Sequence, residues 1–216
     1  MLEEKIIALK GELVQYASLV ENMIAKSIKG LLQKDKDILE EVLRIDEPKA
    51  NDLEVEIDEW CVELIGKFEP KAKSLRTIMM IAQMTNDLER IGDHAVNVAE
   101  SALFLIERPA VKALIDIPRM AEITISMLKD SISSFINEDA ELARNICERD
   151  DTVDGLRDQI ARELITYMTS DSGTIERSFH LMRISTNLER IADLSTNIGE
   201  DVIFMVKGKI IKHHKA

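Results

Sequence analysis

The sequence predicts an all-α fold: two tandem antiparallel three-helix bundles, six long helices produced by an internal duplication. Three observations lead there. Apolar residues recur every three or four positions almost throughout the 216-residue chain, the period of an amphipathic helix. Hydrophobic residues make up 45% but aromatics only 4%, with 8 Gly and 4 Pro; a chain so rich in Leu, Ile, Ala, Met, Glu, Lys and Arg favours helix over a β-sandwich or barrel. The stretch TNDLERIGDHAVNVAE, Thr85 to Glu100, returns one hundred positions later as STNLERIADLSTNIGE, Ser185 to Glu200.

The elements follow from the breaks in the apolar period. The first helix runs to the polar stretch QKDKD, Gln33 to Asp37. The second runs from there to Glu69-Pro70, and Pro48 within it should start it late or kink it. The third ends at Arg108, before Pro109. Ile117-Pro118 begins or adjusts the fourth, which stops at Asn137-Glu138-Asp139. The fifth reaches the turn TSDSGT, Thr169 to Thr174, and the sixth takes the remainder. Each spans about 30 residues, and connections this short make neighbours antiparallel.

The break between Glu107 and Ile117 divides the chain into a first bundle, residues 1–109, and a second, residues 110–216. Asp35, Val42 and Leu53 correspond to Asp139, Ile146 and Leu156. The offset is 104, slips to 103 around Glu47, and falls to 100 after a shorter second turn. A repeat with such indels is a duplication adjusted where loops or kinks tolerate it.

The formal charge of −12 repels a phosphate backbone and argues against nucleic-acid binding. The tail KGKIIKHHK, Lys207 to Lys215, is the basic exception. It reads first as a helix end complementing its dipole, and otherwise as a peripheral contact for an acidic lipid or protein surface. Cys61 and Cys147 form no CxxC pair and read as core thiols. The start shows no charged-then-apolar leader, and the longest greasy segment, Ile78 to Ala82, is too short to span a bilayer. A soluble cytoplasmic protein is expected.

On the third helix Ile81, Met84, Leu88, Ile91, Ala95, Val98, Ala102 and Leu105 step by three and four, the seam of a left-handed bundle. Leu181, Ile184, Leu188, Ile191, Ile198, Val202 and Met205 do the same on the sixth, with Ser195 the polar interruption. These stripes are core. About 100° around each helix lies a second line: Asn86, Glu89, Asp93, Asn97 and Glu100, then Thr186, Glu189, Asp193, Asn197 and Glu200. Carboxylates at i,i+4 repel by a few tenths of a kcal/mol. A merely solvated face would set Lys or Arg at the fourth position, and Arg90 and Arg190 point elsewhere. A spacing unfavourable in itself and present in both halves is the pattern a bound cation compensates.

One helix supplies too few ligands for a metal. The second helix of each half offers more: Asp150 and Asp154 form a DxxxD pair, placed near the start of the fifth helix, and Glu47 and Asn51 are its first-half counterpart. Asp46 replaces Glu47 if the extra residue near Pro48 shifts the register. Carboxylate-rich oxygen sites suit iron, manganese, magnesium and sometimes zinc. His94 and His180 are isolated, and no ExxH occurs, so the usual di-iron set of ferritin-like bundles is missing. No GxxxxGK[ST], GxSxG or HExxH is present. The acidic lines are compatible with a carboxylate-bridged multinuclear metalloenzyme, with metal binding without catalysis, or with a structural helical scaffold that holds no metal.

LERIGDHAVNVAE and LERIADLSTNIGE resemble the paired signature of the PhoU phosphate-signalling regulators, whose E/DxxxD motifs occur once per repeat. LVENMIAKSIKGLLQKD looks like that family's first helix, ANDLEVEIDEWCVELI is similar to its second, and MAEITISMLKDSISSFINEDAELARNICERDDTVDGL resembles its fourth and the start of its fifth. The resemblance implies pseudo-twofold bundles and multinuclear iron or zinc clusters on Glu47, Asn51, Glu89 and Asp93, then Asp150, Asp154, Glu189 and Asp193. Asn51 departs from the pattern, since an acid there is a stronger ligand. With Pro48 beside it, the first site is expected to be the weaker. The resemblance also implies a homodimer that represses the phosphate-starvation response and restrains uptake. It would couple the ATPase subunit of the phosphate ABC transporter to a membrane sensor histidine kinase.

Overall fold

The computed structural model describes residues 1–207; the basic tail beyond Lys207 lies outside the described residues. The chain folds as α1 (Leu2–Gln33), then α2 (Lys36–Glu41) running through a π turn (Val42–Asp46) into α3 (Glu47–Phe68), then α4 (Lys73–Ile106), α5 (Asp116–Asn137), α6 (Ala140–Ser170) and α7 (Ile175–Lys207). The second rod is thus one helix in two α pieces, and the six expected helices are present. No strand occurs among the described residues.

The ends fall at the breaks the sequence marks. Lys34, Glu69 and Glu138 take left-handed conformations just past α1, α3 and α5, closing each helix. Asp35 and Asp139, equivalent in the repeat, cap the helices that follow. The Asp35 carboxylate accepts from the amides of Asp37 and Ile38 at 3.1 and 3.2 Å. That of Asp139 accepts from Glu141 and Leu142 at 3.0 Å. One length and one placement differ from expectation. α5 has 22 residues, because the connection past Pro109 runs to Ile115 and α5 starts only at Asp116. α6 begins at Ala140, so Asp150 and Asp154 lie well inside that helix and not near its start.

The slip in the repeat near Glu47 has a physical form. The first half carries one residue more than the second between Val42 and Leu53, and a π turn is how an α-helix absorbs one extra residue. The Glu47 amide donates to the Val42 carbonyl, five residues back. Pro48 follows directly, in the first turn of α3, where the widened turn moves away the carbonyl its ring would otherwise strike.

Swapped ion pairs fix the register on either side. Lys26 of α1 meets Asp46 at 2.7 Å and Glu41 at 2.7 Å. The equivalent positions in the second half, Asp130 of α5 and Arg149 of α6, meet at 2.6 Å with the charges exchanged. Asp46 therefore corresponds to Arg149 and packs toward α1. Glu47 is the counterpart of Asp150.

The seams are buried as expected. Ile81, Leu88, Ile91, Ala95 and Val98 of α4 and Ile184, Leu188, Ile191 and Ile198 of α7 are fully enclosed. Leu105 and Met205, nearer the helix ends, are only partly so. Ser195 satisfies its hydroxyl by donating to the Ile191 carbonyl at 2.9 Å. Each half is a three-helix bundle, and the halves join where α1 packs on α5 and α4 on α7, so one hydrophobic cluster runs through both. Close approach of α6 and α7 depends on Gly199, where a Cβ would stand 3.1 Å from the Ala143 carbonyl.

Candidate metal centre

α4 and α7 cross antiparallel at the join of the halves. Bonds from His94 Nδ1 to Asn187 Oδ1 (2.9 Å) and from Arg183 Nη2 to Asn97 Oδ1 (2.6 Å), with a contact between Gln83 and Asp201, set the register. Arg90 and Arg190 both line a cleft of about 490 Å3. Asp93, His94 and Asn97 line its α4 side, and Asp193, Leu194 and Asn197 its α7 side. The polar lines of α4 and α7 thus meet at the cleft, and each continues outward to its own half's second helix.

In the first half, α3 and α4 bring carboxylates together. Burial first, then the charges of Asp93 and Glu100, push the Glu47 carboxyl above its usual range. Burial, Asp93 and Glu54 do the same to Glu89. Glu47, not Asp46, therefore faces the acidic line of α4. Asn51 is exposed on the same side of α3. The lower end of the line is engaged elsewhere: Arg183 binds Asn97 and also Glu100, at 3.1 Å.

In the second half, burial and Asp193 raise the Glu189 carboxyl, with Asp154 adding to it and Arg157 and Arg190 opposing. Burial and Asp154 raise Asp193, again with Arg157 opposing. Asp150 and Asp154 are half-buried on α6. Arg157 lies among them, with Nη1 3.6 Å from Glu189 Oε1 and Nη2 3.9 Å from Asp154 Oδ1, while its Nε reaches Asp158 at 3.1 Å.

Sequence reasoning missed three members of these clusters. Glu54 and Arg157 are equivalent in the repeat, and each sits seven residues past the first acid of its motif, two turns on along the same helix face. That spacing was the available signal. Tyr16 of α1 has a buried hydroxyl without a hydrogen-bond partner. Burial and then the charges of Glu54, Glu89, Asp93 and Asp58 push its phenol well above the usual range. Nothing in an apolar helix seam marks such a hydroxyl.

The donor set fits a hard or borderline cation: carboxylates and amides, crowded enough to raise one another's pKa, which a positive ion would reverse. Among the described residues no three His, Cys, Asp or Glu side chains are gathered tightly enough to hold an ion as they stand, so ligation would require these side chains to move together. The two histidines among the described residues are engaged otherwise. His94 is bonded to Asn187, and His180 stacks on Phe104 at 3.9 Å between ring centroids. Burial raises the thiols of Cys61 and Cys147 to about 12 and about 11, which leaves both poor nucleophiles.

The geometry defines a class: a duplicated six-helix protein with one acidic face per half, meeting at a pseudo-twofold crossing. The PhoU domain matches residues 13–102 and again 117–202. A phosphate-specific transport system accessory protein PhoU homolog of Aquifex aeolicus is 40% identical over 204 residues, 94% of this chain and 92% of that protein. The Escherichia coli accessory protein PhoU is 32% identical over 206 residues, 95% and 85% of the two. The crystal structure of PhoU from Pseudomonas aeruginosa superposes with a TM-score of 0.92 at 31% identity, covering 97% of this chain and all of that one. That of the phosphate transport system regulatory protein PhoU from Streptococcus pneumoniae gives 0.89 at 24% identity, covering 98% and 100%, and shares the fold. The chain belongs to the PhoU family.

Proposed function

We infer that this chain is an accessory regulator of phosphate transport. The observation that carries this reading is full-length kinship: both repeats match, at 32–40% identity over nearly the whole chain, proteins named as accessory proteins of the phosphate-specific transport system. In the finer form of the reading it is a homodimeric, cytoplasmic, non-catalytic adaptor. It represses the phosphate-starvation response and restrains uptake by linking the transporter's ATPase subunit to a membrane sensor histidine kinase. No helix among the described residues is long and apolar enough to cross a membrane, which supports contact with the membrane through partners. Purified protein is expected to retain both the ATPase subunit and the kinase's cytoplasmic portion; retention of neither contradicts the adaptor role.

Metal belongs to the same reading. Glu47, Asn51, Glu89 and Asp93 in one half, and Asp150, Asp154, Glu189 and Asp193 in the other, hold clusters of iron or zinc, with manganese or magnesium as alternatives. The crowded carboxylates support it. Bound cations would supply charge neutralisation that draws α3 toward α4 and α6 toward α7. Elemental analysis of protein purified without chelator should show iron or zinc. Glu89→Ala with Asp93→Ala, and Glu189→Ala with Asp193→Ala, should each lower that content, and all four together should remove it. Content unchanged by the four substitutions rules these residues out as ligands.

A further inference from the structure

The equivalence of Glu54 and Arg157 makes the two acidic faces unlike, and α1 adds to the difference. In the first half Glu54 extends the α3 row of Glu47 and Asn51 by one more oxygen donor. Behind that row, Tyr16 is fully buried and its hydroxyl has no hydrogen-bond partner among the described residues, although the charges of Glu54, Glu89, Asp93 and Asp58 all act on it. A buried hydroxyl left without a hydrogen bond is costly, and a ligated carboxylate or an ion-bound water turned inward would satisfy it. In the second half the position of Tyr16 is taken by Met120, buried and apolar. The position of Glu54 is taken by Arg157, whose guanidinium already spans Asp154 and Glu189. A resident cation at those carboxylates competes with any that arrives from solution.

Resting on the reading of these faces as cation sites, we propose that they are unequal: Glu54, Glu89 and Asp93, backed by Tyr16, form the tight site for a divalent cation, and Arg157 acts as an internal counter-cation that weakens the second. The surplus oxygen donor and the orphaned hydroxyl outweigh the missing acid at Asn51, which reverses the order expected from the motif alone. The arrangement makes the second site responsive: a cation occupies it only when Arg157 swings aside, and Arg157 has Asp158 at 3.1 Å as a partner outside the site.

The test titrates metal-free, full-length protein with Mn2+, reading free Mn2+ by electron paramagnetic resonance and helicity by circular dichroism. Two classes of site are expected, separated on the order of tenfold or more. The tight class should vanish in Glu89→Ala/Asp93→Ala and persist in Glu189→Ala/Asp193→Ala. Arg157→Glu should bring the weak class close to the tight one, and Arg157→Gln, the milder change, should do so in part. Tyr16→Phe keeps the packing and should weaken the tight class alone. Equal affinities in the wild type, or a tight class that survives loss of Glu89 and Asp93, overturn the asymmetry and leave the cation sites standing. No Mn2+ binding in the wild type or in Arg157→Glu, repeated with Zn2+, overturns both.

Discussion

Lys26→Asp destabilises the fold by about 3 kcal/mol, and adding Asp46→Arg recovers most of the loss. Breaking one partner of a largely enclosed pair leaves an uncompensated charge, which costs on the order of 3–5 kcal/mol when fully buried. Asp46 is nearly so, with 7% of its side chain exposed, while Lys26 at 29% keeps some water, hence the lower figure. An aspartate at position 26 also stands against Glu41, the second partner of Lys26. The double exchange is one the molecule already contains, since Asp130 and Arg149 hold the same place between α5 and α6. Urea unfolding of the two single variants and the double closes a cycle that isolates the pair. Additive losses would show that the two residues do not couple, and would remove the register argument that sets Glu47 opposite Asp150.

Asp87→Asn raises stability at neutral pH by up to about 3 kcal/mol in chelated protein, and flattens the pH dependence below it. Asp87 is enclosed on α4, with 13% of its side chain exposed and Arg90 at 3.7 Å. Burial chiefly, opposed by Arg90 and helped by Asp201, raises its pKa from 3.8 to about 6. A carboxyl whose folded pKa lies above its unfolded value favours the fold while protonated. Its contribution is fully present below about pH 4 and is lost as pH rises through about 6. A gap of roughly two pH units corresponds to about 3 kcal/mol. Asparagine keeps the shape and cannot ionise, and the equivalent position in the second half is already Asn187, buried and bonded to His94. Thermal unfolding from pH 4 to 7.5 should show wild type and variant together at the acid end and diverging upward. Parallel curves would mean that Asp87 carries no such penalty.

The fold was legible because its signals are local and repeated. A period of three to four, polar breaks at equivalent places and prolines at the helix ends all act within a few residues, so each could be read without knowing the partner helix. The surplus residue near Glu47 was legible as a slip in the repeat. Its outcome was not, because a loop, a kink and a π turn differ only in hydrogen bonding that depends on α1. Lys26 and Asp46 decide that from across the bundle. The acidic rows were legible for the same local reason. What was hidden is what reaches them from other elements or lies beyond the motif: Tyr16 from α1, Arg183 from α7 onto Asn97 and Glu100, and the pair Glu54 and Arg157 one step past the ExxxN and DxxxD. A one-helix pattern shows which side chains share a face, and says nothing of the charge that comes to meet them.

The proposed role has this chain hold the phosphate response in check. The direct measurement is a reporter on a phosphate-regulated promoter, read in the native host in phosphate-rich medium after deletion of this gene. The reporter is expected to be switched on regardless of phosphate and switched off again when the full chain is supplied from a plasmid. A reporter that stays repressed without the chain would contradict it.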